Sequence, residues 1–346
     1  MLRQRLNALL ALCAASALAQ PLLTALEENG FTEFARVLQG DPILNAGPDI
    51  IVYAPTNAAL TGSNRTVPVT RRDDEDDNRA SNGYKAVDAT APGPVGPPTD
   101  IVRIRDVMVS PGSALVTLLD DPEFVNLGPG RNQIIVEKSV ASASLPLVFS
   151  GLGASVKVTG DDIPFDNGVI RPINGDVTLP ENVSSTLPFL GVDTFHGFLQ
   201  QSGLLAELDT RAGITVLAPD DNAFANITNL TDTELTELLR QHILIDFPAY
   251  TPLLVDGAVY PTLAGGNVTV SVRDDVIYLN GARILAGDAI TINGAIHTID
   301  TVLGTSSPPP RPVTTAAAMT IKPLSWEVFI CSFAGMAAVA GYFDLL

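Results

Sequence analysis

Three histidines, His196, His242 and His297, and two pairs of adjacent carboxylates, Asp161-Asp162 and Asp220-Asp221, are the residues of this chain whose types could do chemistry. Histidine can bind a metal or act as a base near neutral pH, and paired carboxylates cleave glycosides when they face one another across the substrate. Intervals from His196 to His242 to His297 neither require nor exclude a three-histidine metal site. Acids adjacent in sequence rarely face each other, so both pairs read better as turn or cap residues. His242 shares a helical face with Leu235, Leu238 and Leu239 and reads as a hydrogen-bonded core histidine. His297, inside a strand of the last hairpin, reads the same way, while His196 covers a helix surface. No G-x-S-x-G turn is present, and Gly151 to Ser155 (GLGAS) is neither that turn nor a phosphate or dinucleotide loop. No catalytic, cofactor-binding or metal-ligating residue is therefore assigned. The competing reading, a secreted glycan-acting or metal-dependent hydrolase, rests on the histidines and acidic pairs alone.

Composition narrows the partners. With 20 basic and 38 acidic residues the net charge is -18, which opposes attraction to nucleic acid or anionic lipid. A chain of 346 residues, 46% apolar, can bury the cores of two ordinary domains. The acidic run Asp73, Asp74, Glu75, Asp76 and Asp77 lacks the alternating ligands and turn glycine of a calcium loop, and reads as a solvated stretch. Arg71-Arg72 just before it has the form of a dibasic processing site.

The two ends read as processing segments. Residues 1–19 begin with Arg3 and Arg5, continue through an apolar run from Leu6 to Leu18, and close on Ala17-Leu18-Ala19, the layout of an export signal. Residues 305–323 are a Ser/Thr/Pro/Ala linker, and 324–346 a hydrophobic tail whose apolar run, Val328 to Phe343, is shorter than an ordinary span needs, with no basic cluster after it. Small residues at Thr314 and Thr315, or at Ser306 and Ser307, followed by such a tail, are the pattern of a glycosylphosphatidylinositol attachment signal. An uncleaved membrane tail, on the cell surface or in a vacuolar membrane, is the rival. Cys13 and Cys331 lie in the two ends, so a chain without them has no thiol. Sequons at Asn64, Asn182, Asn226, Asn229 and Asn267 fit a glycosylated exported surface.

Between the ends the chain repeats itself. IIVYAPTNAAL from Ile50 aligns with ITVLAPDDNAF from Ile214, and NGVIRPIN from Asn167 with NGAIHTID from Asn293. The interval between the motifs is 113 residues in the first copy (Ala54 to Asn167) and 75 in the second (Ala218 to Asn293), an excess of 38 in the first. The acidic and Pro/Gly-rich stretch, about 61–100, is expected to hold that excess as a solvated insertion.

Apolar residues at helical spacing predict helix around Val192, Phe195, Phe198, Leu199 and Leu205, and around Leu22, Leu26, Phe34 and Leu38. Asp220 or Asp221 can cap the turn after ITVLAP, and Thr231 with Glu234 forms a capping box. Val268, Val270 and Val272 alternate, Asp274-Asp275 can turn the chain, and Asn280-Gly281 and Asn293-Gly294 are hairpin signals with Gly287-Asp288 between them. Each copy is thus read as helices followed by a strand meander, an α+β class with a mainly antiparallel sheet.

These residues carry a resemblance. ITVLAPDDNAF, the helix ending LLRQHI, and the closing segment through NGAIHTIDTVL resemble the fasciclin domain over about 187–304, and IIVYAPTNAAL with FDNGVIRPINGDVTLP resembles it over 21–180. The whole layout is similar to the fasciclin-like surface glycoproteins of fungi and plants. That resemblance implies two tandem β-sandwich wedges with packed helices and a non-catalytic role in cell adhesion. The implied setting is the outer face of the plasma membrane or the cell wall, and the implied partners are extracellular matrix, cell-wall glycans, surface proteins or the chain itself. The family's Tyr-His pair reads Gln241-His242 in the second copy, and the first copy has no histidine. The candidate binding region is therefore His242, Gln241, Asp220 and Asp221.

Overall fold

The computed structural model describes residues 20–61, 81–89, 112–139, 145–225, 227 and 230–304. The expected leader, linker and tail, Arg71-Arg72, Asn64, Asn226, Asn229 and the candidate anchor residues lie outside them.

In the first copy α1 (Leu22–Glu28) and α2 (Thr32–Val37) precede β1 (Ile50–Pro55) and the short α3 (Asn57–Thr61). Then follow β2 (Ala86–Asp88), β3 (Gly112–Val116), β4 (Ile134–Lys138), β5 (Leu147–Phe149), β6 (Ser155–Lys157), β7 (Ile163–Phe165) and β8 (Gly168–Ile173). The second copy has α4 (Val183–Thr186), α5 (Asp193–Gln201), α6 (Leu205–Thr210), β9 (Ile214–Pro219) and α7 (Asp232–Gln241). It closes with β10 (Ile243–Leu244), β11 (Val259–Pro261), β12 (Asn267–Arg273), β13 (Val276–Leu279), β14 (Ala282–Thr291) and β15 (Gly294–Ile299). The class is α+β, and the described strand pairings are antiparallel except β1 with β8 and β9 with β15.

Those two parallel pairings differ from a simple meander. The first strand of each copy sits between the last strand and a short antiparallel one, in the orders β2-β1-β8-β7 and β10-β9-β15-β14. Such a strand is covered on both faces. In β9, Ile214, Val216 and Ala218 face the helices while Leu217 faces the core under β11–β13, which explains an unbroken apolar run. Ile50 pairs with Gly168 as Ile214 pairs with Gly294, so the two aligned motifs of each copy are neighbours in one register.

Local signals act at identifiable points. The single helical rhythm across 192–208 becomes two helices because Gly203 takes a φ of 73° after α5, and Gly30 at 85° does the same between α1 and α2. Thr231 and Glu234 form the full capping box of α7. Asn280 and Gly281 turn β13 into β14 with φ values of 50° and 92°, and Asp274 and Asp275 turn β12 into β13 with 50° and 60°. Asn293-Gly294 behaves otherwise. The turn there is Ile292-Asn293, and Gly294 opens β15 against Ile214, where an added Cβ would lie 1.8 Å from the Ile214 carbonyl oxygen. Gly287-Asp288 is no turn but part of an irregular register inside β14.

The stretch 61–100 also departs from a wholly solvated insertion. Residues 81–85 form a helical turn leading into β2, and Tyr84, Ala86 and Val87 are buried. The hydrophobic triplet within YKAVD is the counterpart of the α7–β10 junction, hidden in sequence by the polar residues on both sides. Part of the excess length lies instead between β3 and β4, where residues 117–133 stand in place of 262–266 between β11 and β12. Each copy has a core between helices and sheet and a second core beneath its outer strands. A fifth cluster joins Leu127, Ile134 and Val136 of the first copy to Tyr250, Ile290 and Ala295 of the second, and both copies lie within one compact unit.

Replacing Gly294 or Gly168 by Ala is expected to cost roughly 3 kcal/mol, since backbone must move to admit the methyl group. Gly197→Ala in α5, with open space around it, is expected to be neutral or to stabilise by about 0.5–1 kcal/mol. Denaturant midpoints followed by far-ultraviolet circular dichroism distinguish the three, and equal midpoints would refute the close-approach argument.

Candidate functional site

Of the four candidate residues, His242 packs against an aromatic ring. Phe195 of α5 lies 5.8 Å from the His242 imidazole and 6.5 Å from Phe224. His242 follows the last residue of α7 and is buried. Its Nδ1–H donates to the Leu238 carbonyl at 2.8 Å, and its Nε2 accepts from the Leu303 amide at 2.8 Å. Both nitrogens are engaged by backbone and the neutral tautomer is fixed. Burial accordingly pulls its pKa down to about 4, partly opposed by the bond to Leu238.

Asp220 caps the 3-10 turn Asp221–Phe224 by accepting from the Ala223 amide at 2.9 Å. Asp221 accepts from the Thr194 amide at 2.8 Å and thereby ties the start of α5 to the end of β9. The Gln241 side chain lies against Gly304, whose absent Cβ would meet Gln241 Oε1 at 2.1 Å. All four thus sit at one end of the β9–β15 pair, holding helix to sheet.

The register identifies the equivalents in the first copy. Val52 pairs with Ala86 as Val216 pairs with Ile243, so Tyr84-Lys85 stands where Gln241-His242 stands. The histidine position is therefore occupied by a buried lysine and its neighbour by a tyrosine. Lys85 Nζ donates to Ser81 Oγ at 2.8 Å, pairs with Asp176 at 2.9 Å and lies 5.5 Å from the Phe34 ring centre, the counterpart of Phe195. Asn57 accepts from the Glu33 amide as Asp221 does from Thr194, and Thr56 serves the Ala59 amide as Asp220 serves Ala223. Tyr84 is buried and donates to the Ile134 carbonyl at 3.0 Å. Sequence inspection misses Tyr84 and Lys85 because no motif marks them; the only signal is the small apolar pair Ala86-Val87 after them.

The other histidines lie elsewhere. His196 is half-buried on α5 beside Gln200, at 3.1 Å. His297 is fully buried in β15; its Nε2–H donates to the Ala249 carbonyl at 2.7 Å and its Nδ1 accepts from the Asp288 amide at 3.0 Å. Burial lowers its pKa, against the pull of Asp288. Among the described residues no group of three or more His, Cys, Asp or Glu is placed to hold a metal ion. Of the acidic pairs, Asp162 is bound to Arg171 through two hydrogen bonds of 2.6 and 2.8 Å.

Of the sequons, Asn267 is exposed at the start of β12. Asn182 is half-buried and its Oδ1 caps α4 by accepting from the Ser185 amide at 2.9 Å. Among the described residues no helix is long and apolar enough to cross a membrane.

Comparison with known proteins agrees with this geometry. Residues 190–305 match the family model of the fasciclin domain, and this part of the chain is a fasciclin domain. The chain is 30% identical over 204 residues to the fasciclin-like arabinogalactan protein of Arthroderma benhamiae, covering 58% of this chain and 47% of that one. It is 30% identical over 192 residues to fasciclin-like arabinogalactan protein CTB11 of Cercospora beticola, covering 54% and 51%. The chain spans about half the length of these curated relatives. A solved FAS1 domain pair from the insect cell adhesion molecule Fasciclin I aligns with 80% of this chain and 97% of its own, at 17% identity and a TM-score of 0.37.

Because His242 is neutral when folded but protonates near its ordinary pKa of about 6.5 when unfolded, the unfolded chain binds more protons between those values. Stability is therefore expected to fall as pH drops from about 6.5 toward 4, by about 3 kcal/mol from this residue. Urea denaturation across that range should show a shallower decline in His242→Gln, and an unchanged slope would refute the assignment. Asn182→Gln is expected to cost about 1 kcal/mol by removing the α4 cap, whereas Asn267→Gln should leave the unglycosylated protein's urea midpoint unchanged.

Proposed function

We propose that the chain is a non-catalytic adhesion glycoprotein, carried through the secretory pathway to the outer cell surface and held there by a C-terminal lipid anchor. One observation carries the non-catalytic part: His242, His297 and the Asp220-Asp221 pair are consumed in holding the fold. His242 and His297 each have both ring nitrogens bound to the protein, and Asp220 and Asp221 each accept a backbone amide. A base or metal ligand needs a free lone pair in reach of substrate. The similarity to fungal proteins described as fasciclin-like arabinogalactan proteins supports a surface role, and the export-type leader, sequons and hydrophobic tail support the route.

The partners proposed are wall glycans, matrix or surface proteins, and the contact surface is the exposed rim of α5, the 3-10 turn and α7 in the second copy. The outer face of α7 carries Asp232, Thr233, Thr236, Glu237 and Arg240, whose hydroxyls and charges suit a polar, uncharged or basic ligand. Treatment of intact host cells with phosphatidylinositol-specific phospholipase C is expected to release the protein, and retention on the cells would overturn the anchor. Thr236→Trp with Glu237→Arg should weaken binding of the released protein to wall polysaccharide at least tenfold without moving its thermal midpoint, and unchanged binding would exclude this face of α7.

A further inference from the structure

A buried ion pair joins the two copies. Asp288, in the irregular part of β14, is fully buried. Burial alone would discourage its charge, but the Lys138 ammonium and the hydroxyl of Thr251 outweigh that and hold its carboxyl below the usual range. Oδ1 accepts from the Thr251 amide at 2.8 Å, and Oδ2 accepts from the Thr251 hydroxyl. The counter-charge is foreign to the second copy: Lys138 Nζ, from the end of β4 in the first copy, reaches Oδ2 at 2.6 Å while lying 4.0 Å from the Phe149 ring centre. His297 cannot replace it, because its Nδ1 already accepts from the Asp288 amide and burial keeps the ring neutral.

At the equivalent place in the first copy the acid is exposed and its ion pair is internal. Ile163 pairs with Ile170 as Ala289 pairs with Ile296, which makes Asp162 the counterpart of Asp288 and Arg171 that of His297. There the partner of the acid is a permanent cation in the same copy, and Arg171 also binds Glu137 at 2.8 Å. With histidine at the equivalent place, the second copy lacks its own cation.

The β3–β4 connection supplies a second grip on the same hairpin. Asn126 donates its amide N–H to the Ile292 carbonyl at 2.7 Å and its side chain to the Thr210 carbonyl at 3.1 Å. Gln133 Nε2 lies 3.3 Å from the Thr291 carbonyl and 3.4 Å from that of Ile292. On the other side Ser150 accepts from the Ile290 amide, and Glu181 from the Ile292 amide.

We infer that the second fasciclin domain is not an autonomous folding unit: the first copy is its obligate intramolecular partner, completing a buried charge pair through Lys138 and clasping the β14–β15 hairpin. Removing one member of a buried pair strands the other, whereas removing both largely relieves the penalty.

The test is hydrogen exchange on the full chain, read at the Thr251, Asp288, Ile290 and Ile292 amides of the second copy. Lys138→Met, although in the first copy, is expected to speed exchange at these amides on the order of 100-fold. Lys138→Met with Asp288→Asn should recover protection to within about tenfold of the parent. Should Lys138→Met fail to fold, folding of the double variant supports the inference. It is overturned if the four amides keep their protection in Lys138→Met, or if the double variant is no better protected or folded than the single one.

Discussion

A carboxylate out of reach of water must find a cation or give up its charge, and Asp288 finds its cation in another part of the chain. Much of the arrangement follows from that constraint. The irregularity in β14 turns the carboxylate inward, with Asp288 at a φ of 67°, and Gly287 leaves room for Thr251, whose methyl group would lie 2.6 Å from an added Cβ. Thr251 then fixes the start of the segment leading to β11, and Ala249 fixes His297. Lys138 brings with it the strand β4 whose Ile134 and Val136 pack against Tyr250 and Ile290. A polar contact sets the register and the apolar cluster around it supplies the buried area.

The two copies show how one scaffold accommodates different side-chain chemistry. A helix, a strand and a short antiparallel strand meet at Phe195 in one and Phe34 in the other, and backbone amides at the same places are satisfied by Asp220 and Asp221 or by Thr56 and Asn57. At the position where the family resemblance implies histidine, one copy buries a neutral imidazole and the other a lysine that must be paired with Asp176. The tyrosine of that motif survives only as Tyr84, whose hydroxyl serves the Ile134 carbonyl beside the boundary between the copies. The motif is in this chain a structural joint, and its substitution pattern follows from the packing demands of each copy.

How far the sequence could be read depends on whether the cause is local. The capping box at Thr231, the turns at Asn280-Gly281 and Asp274-Asp275 and the alternation of β12 involve neighbours within a few residues, and each forms as its residue types dictate. Asn293-Gly294 has the same dipeptide as a tight turn, yet its glycine is required by a strand eighty residues earlier. Tyr84 and Lys85 were invisible for a related reason: their short strand is held by pairing to β1, not by its own pattern. The candidate site was legible as a core histidine and a capping acid, but the distant partners, Leu303 for His242 and Thr194 for Asp221, were not.

The sequence by itself determined the duplication, the α+β class, the acidic surface and the positions of caps and turns, because these follow from composition, periodicity and short-range hydrogen bonding. Only the tertiary structure decided that β1 and β9 run parallel to the closing strands, that Lys85 occupies the place of His242, and that Lys138 belongs to Asp288. Each of those depends on partners far apart in the chain. Their free energy comes from burial and from pairing charge where water is excluded, and no local pattern records which distant residue will be there.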